Sequence, residues 1–177
     1  TKVLGEQYVG FHRRHCGLDT VVLRYFNSYG PGEFPGLYRN VIPNFIDKAR
    51  NKEALPLTGN GHETRDFTYV GDTVCGTLLA GMVSAASGAT FNIGTGRETS
   101  IGDIADIINE LADNEAGCQH HPRREWDRIS SRCADIGRAR QILGYEPSTS
   151  LQEGIDRTYA WAERAIPRAW QHMALVG

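Results

Sequence analysis

An α/β fold is predicted by three features of this 177-residue sequence. Two segments rich in β-branched and aromatic residues, "DTVVLRYF" (19–26) and "TFNIG" (90–94), are almost uninterrupted by polar side chains, as strands covered on both faces of a parallel sheet are. Segments with apolar residues at helical spacing stand before, between and after them. Neither an internal repeat nor a low-complexity tract breaks this alternation of strand and helix, which marks the class.

In chain order, residues 2–15 carry Val3, Leu4, Val9 and Phe11 among charged residues, and Gly17 supplies a left-handed stop. The spacing predicts a helix that feeds the strand 19–26. "NSYGPGEFPG" concentrates glycine and proline in a loop. "NVIPNFIDKAR" reads as a helix with Asn40 at the N-cap and Pro43 in the first turn, where its missing N–H costs little. "ALPLTGNGHETRDFTYV" reads as two short strands around a Gly-Asn-Gly turn. "GDTVCGTLLAGMVSAA" is a helix with Val74, Leu78, Leu79 and Met82 as its apolar positions. "TSIGDIADIINELAD" has the clearest local signature. Ser100 and Asp103 form a capping-box pattern, and Ile101, Ile104, Ile108 and Leu111 share one face. After it come a basic, irregular stretch, "HHPRREWDRISSR", a short helix within "DIGRARQILGYEP", and a last helix, "SLQEGIDRTYAWAERA". Pro167 ends that helix, and residues 167–177 are expected to form a loosely docked tail.

Composition narrows the function classes. Nineteen basic residues against twenty-one acidic ones give no field that would hold nucleic acid or an anionic membrane. No stretch reaches the length of a membrane span, and the sequence shows no signal-peptide pattern. Cys16, Cys75, Cys118 and Cys133 lie far apart with no Cys-x-x-Cys pair, which suits reduced thiols in a cytoplasmic protein. The six histidines offer no set with metal-ligand spacing, so no metal is expected. A glycine-rich phosphate turn after a first strand is missing: "GPGEFPG" spaces its glycines at 30, 32 and 36, one position too long, and "GTG" at 94–96 is explained by a tight turn.

The ordered motifs "TKVLGEQY", "LRYFNSYGPGE", "GNGHETRDFTYVGD", "FNIGTG" and "ADIGRARQILGYEPSTSLQEGIDRTYAW" resemble the C-terminal half of the extended short-chain dehydrogenase/reductases, the NAD-dependent nucleotide-sugar epimerases and dehydratases. The resemblance implies a Rossmann-type fold with a small substrate-binding subdomain, the N-terminal glycine-rich half being absent from this sequence. Residues 1–39 would be the last part of the NAD-binding domain, and 40–166 mainly the nucleotide-sugar subdomain, with a strand near 90–94 returning to the Rossmann sheet. Lys2 would be the lysine of a Tyr-x-x-x-Lys pair whose tyrosine lies four residues earlier, outside the sequence. In that role it would lower the pKa of the tyrosine and bind the nicotinamide ribose.

The same resemblance places Tyr25 and Phe26 near the nicotinamide, although both could equally be core. It places Asn27 on the sugar or phosphate, and Asn40 at the diphosphate through helix N-terminal amides, a role compatible with capping. Leu57 and Thr58 would lie along the base. Arg65, of the Arg-Asp-Phe motif, would bind the diphosphate. Arg124 and Asp127 match an Arg-x-x-Asp element, with Arg128 and Arg132 as rivals for the phosphate, Arg132 the stronger. The implied activity is that of a UDP-sugar 4-epimerase-like enzyme using NAD, incomplete and inactive in this form, associating as a homodimer or with its missing half. A non-catalytic nucleotide-sugar-binding or interaction module is the alternative.

Overall fold

The structure is a computed structural model, and it describes residues 1–37, 39–123 and 129–166. Its elements are α1 (Lys2–Cys16), β1 (Val22–Tyr25), β2 (Ser28–Tyr29), α2 (Val41–Arg50), β3 (Leu55–Thr58), β4 (Thr64–Arg65), β5 (Thr68–Tyr69), α3 (Val70–Met82), β6 (Thr90–Ile93), β7 (Thr99–Ser100), α4 (Ile101–Leu111), β8 (Cys118–His121), β9 (Ser131–Arg132), α5 (Gly137–Leu143) and α6 (Leu151–Ala165). The expected α/β architecture is present. β1 pairs with β6 in parallel, Val22 opposite Thr90 through Tyr25 opposite Ile93.

Two cores form. α2, α4 and α6 bury Ile42, Phe45, Ile46, Ile104, Ile108 and Ile155 against Leu55 and Leu57 of β3. A second core gathers Phe91 and Ile93 of β6 with Ala80 of α3 and Ala139, Leu143 and Tyr145 at α5. Local chemistry explains several boundaries. Ser100 Oγ accepts from the Asp103 amide at 3.0 Å, the forward half of the capping box. Ser150 caps α6 in the same way through the Glu153 amide. Gly17 and Gly144 close α1 and α5 at φ 64° and 65°.

Several expectations need correction. β3 and β4 flank the Gly-Asn-Gly turn but do not pair with each other. β3 runs parallel to β8, while β4 lies between β7 and β9. The turn therefore separates two sheets. At the two ends of the stretch expected to be irregular, His120 and His121 belong to β8 and Ser131 and Arg132 to β9. β1 is not covered on both faces: Arg24 and Tyr25 are exposed among the described residues. α3 turns Gly76 and Ala80 inward and leaves Val74, Leu78 and Met82 exposed, since only small residues fit where Ile93 and Tyr145 press against Gly76. Asn40 precedes α2 but makes no side-chain cap. The tail 167–177 lies outside the described residues.

Candidate nucleotide-binding site

β4 is the hinge of the site. Arg65 sits opposite Arg132 of β9 on one side and Thr99 of β7 on the other. Its guanidinium is held by backbone carbonyls: Nη1 donates to Thr64 O at 2.7 Å and Nη2 to Ile129 O at 3.2 Å. These carbonyls fix the orientation of the planar five-donor group. Arg65 lines a 180 Å³ cavity together with Val41, Pro56, Thr58, Glu63, Ile101 and Arg123. Apolar walls with convergent cations are what a nucleotide diphosphate requires.

Asp66 organises this region from below. It is fully buried, and its carboxylate accepts from the amides of Thr95 (2.9 Å), Gly96 (2.9 Å) and Ala134 (3.2 Å) and from the Thr95 hydroxyl (2.6 Å). The carboxylate ties the turn after β6 and the segment after β9 to β4. Gly94 permits the approach, because a Cβ there would lie 2.9 Å from Asp66 Oδ2. The "GTG" turn thus spends the amides of residues 95 and 96 on the chain's own carboxylate. Glu98 supplies a second tie, accepting from the hydroxyls of Thr64 and Ser131. Those hydroxyls, Ser131 foremost, hold its carboxyl below the usual carboxylate value.

The expected site residues are only partly brought together. Thr58 and Arg65 share the cavity, and Arg132 is the register partner of Arg65. Asn27 adopts φ 22°, uncommon for a non-glycine residue, and its Nδ2 donates to Asp66 O at 3.0 Å. Asn40 spends its amide on Ser28 O at 2.9 Å and the Glu33 carboxylate at 3.1 Å, while its neighbour Val41 reaches the cavity. Tyr25 ends β1, is 52% exposed and has its hydroxyl 3.0 Å from Thr77 Oγ1. Phe26 is half-buried, and its amide extends the pairing by donating to Ile93 O. Lys2 is the exposed first residue of α1. Arg124, Asp127 and Arg128 lie outside the described residues. Sequence reasoning passed over Glu63, Arg123 and the organising role of Asp66. The last was within reach, because Asp66 adjoins the arginine already singled out.

Lys2 and Tyr25 are exposed, whereas the "GTG" turn after β6 has the amides of residues 95 and 96 taken by Asp66.

The sequence profile of the NAD dependent epimerase/dehydratase family matches residues 1–94. The chain belongs to that family. A solved epimerase from Methanothermobacter thermautotrophicus superposes with a TM-score of 0.91 at 42% identity, covering 99% of this chain and 51% of that one. A Thermotoga maritima UDP-glucose 4-epimerase, solved with UDP-glucose, gives 0.86 at 32% identity, over 92% of this chain and 52% of its own. A curated relative from Bacillus cytotoxicus, 34% identical over 82% of this chain and 46% of its own length, is a UDP-N-acetyl-alpha-D-glucosaminuronate decarboxylase. The chain spans about half the length of the curated relatives it matches. These neighbours share the Rossmann-type α/β fold of the family, and no helix among the described residues is long and apolar enough to cross a membrane.

Proposed function

We propose that this chain is the nucleotide-sugar-binding half of an NAD-dependent epimerase or dehydratase, acting on a UDP-sugar at C4 through a transient keto-sugar. The carrying observation is the pairing of Arg65 with Arg132 across β4 and β9, beside a cavity walled by Thr58, Pro56 and Ile101. Two guanidinium groups on adjacent strands can each take one phosphate of a diphosphate. Thr58 and Pro56 then lie along the base, Asn27 meets the sugar side, and Arg124 and Asp127 complete the phosphate and ribose contacts.

NAD, when bound, supplies the hydride acceptor. Lys2 would hold its ribose and set the proton affinity of a tyrosine contributed from outside this sequence, while Tyr25 and Phe26 border the nicotinamide. Residues 1–39 with β6 belong in this reading to the cofactor domain and 40–166 to the substrate subdomain, which the β1–β6 pairing supports. The bulk of the dinucleotide would rest on that outside half, in keeping with the committed "GTG" amides. Leu4, Tyr8 and Phe11 form an exposed stripe on α1, and a second copy of the chain or the complementary half would cover it.

The test is turnover. A preparation with an intact mass of 19.6 kDa is expected to bind UDP yet produce no C4 epimer and no NADH from UDP-sugars and NAD. Epimerisation by that preparation would contradict the half-enzyme reading. UDP binding without activity even after the complementary half of a family member is supplied would favour a non-catalytic nucleotide-sugar module.

A further inference from the structure

α1 carries Lys2, yet apolar packing does not hold this helix. None of its residues is buried, and a 250 Å³ cavity lined by Val3, Gly10, Val22 and Ala89 lies between it and the strands β1 and β6. Polar anchors take the place of packing. Toward the end of α1, Arg13 Nη2 donates to Ser87 Oγ at 3.4 Å, and that hydroxyl donates to the Asp19 carboxylate. Gly88 leaves the room, since a Cβ there would collide with the Arg13 guanidinium. Nearer its start, Glu6 is gripped by Arg24 of β1 through two donors, Nε to Oε1 at 2.7 Å and Nη2 to Oε2 at 2.6 Å. A fork-on-fork contact fixes distance and rotation together, which a point charge does not.

These anchors set the direction of α1. Arg13 meets the segments that lead into β1 and β6, while Glu6 meets the third residue of β1, so the helix runs antiparallel to the strand. Lys2 stands one helical turn beyond Glu6 on the same face, about 6 Å further along the axis. Along a strand about 6 Å is two residues. Lys2 is thereby brought level with Phe26, whose amide donates to Ile93 O just past the end of β1. Ligands of parallel sheets gather at that end of the strands.

We propose that Glu6 and Arg24 are positioning residues: their ion pair sets the level and rotation of α1 on β1 and so holds Lys2 at the strand end. The consequence for catalysis rests on the reading of Lys2 given above. Neither residue touches cofactor or substrate in this account. With a cavity beneath the helix, loss of the pair leaves Arg13 as a single pivot, about which the Lys2 end can swing.

Residual dipolar couplings of the isotope-labelled 177-residue chain in a weakly aligning medium read this directly. In the wild type, the α1 amides are expected to fit the same alignment as β1 and β6. Glu6→Gln and Arg24→Met should keep α1 helical by its carbon shifts and the thermal midpoint within about 2 °C, as for other surface changes, while the α1 couplings shrink to about half. Arg24→Lys, which keeps the charge without the fork, should recover part of the loss, and Glu6→Arg with Arg24→Glu most of it. Unchanged α1 couplings in Glu6→Gln would overturn the proposal, as would a loss that neither Arg24→Lys nor the exchanged pair recovers. Turnover with the complementary half of a family member supplied tests the consequence. There Glu6→Gln should lower kcat about ten- to a hundredfold, the range for a displacement of about 1 Å, with the KM for the UDP-sugar within about twofold. A change in KM alone would contradict the positioning of a chemical group. If Lys2→Met leaves turnover intact, the reading of Lys2 fails, and the couplings still decide whether the pair places α1.

Discussion

The two ends of this molecule treat their apolar residues in opposite ways. Around α2, α4 and α6 the isoleucines at 42, 46, 104, 108 and 155 are fully enclosed, and the buried Asp66 carboxylate accepts from three amides and a hydroxyl. At α1, β1 and the outer face of α3 the pattern reverses: α1 buries no residue, and Leu78 and Met82 are 60% and 79% exposed. The enclosed end carries Arg65 and Arg132, proposed above for the diphosphate, on paired strands. The open end carries Lys2 and Tyr25, proposed above for the cofactor, on exposed surfaces. In the proposed function, recognition of the nucleotide and the chemistry on the sugar would thus fall to structurally distinct parts.

This contrast can be broken most severely at Asp66. Asp66→Ala would leave the amides of Thr95, Gly96 and Ala134 without their acceptor, and more than about 3 kcal/mol of stability should be lost in urea unfolding, because buried orphaned donors are expensive. A loss under 1 kcal/mol would mean that the two ties are not what holds β4. Ile104→Ala, in the enclosed core, should cost about 2–5 kcal/mol. Ser100→Ala removes the cap of α4 and should cost about 1 kcal/mol.

A smaller effect comes with pH. Glu98 is lowered in the folded state, so its tie between Thr64 and Ser131 is fully present above the ordinary value of 4.5 and disappears as pH falls through the lower folded value. UDP affinity should therefore decline more steeply below pH 4.5 in the wild type than in Glu98→Gln, and parallel titration curves would contradict the tie. At the open end, Leu78→Ser should change stability by no more than about 0.5 kcal/mol while reducing self-association in sedimentation. A core-sized loss there would erase the distinction between the ends.

What the sequence disclosed follows the same division. Elements governed by local chemistry were legible: the Ser100 cap, the glycine stops at 17 and 144, and the Ile104/Ile108 face. Pairing partners were not, because β3 finds β8 and β4 finds β9 across more than fifty intervening residues, and no local turn records that choice. The outward turn of Val74, Leu78 and Met82 was hidden for a related reason. Apolar spacing shows that a helix has an apolar face, but tight packing of Gly76 against Ile93 and Tyr145 decides which face goes inside. In the site, Arg65 was legible through its motif. Glu63 and Arg123 were passed over, because only the turn after β3 and the end of β8 at His121 bring them to the cavity.

The central claim, that the β4–β9 cavity is the diphosphate site, is tested most directly by amide NMR shifts of the isotope-labelled chain on adding UDP. The account predicts that the perturbed amides cluster at Thr58, Glu63 to Asp66, Ile101 and Ser131 to Ala134, with α1 and β1 unmoved. Perturbations confined to α1 and β1, or none at saturating UDP, would contradict it.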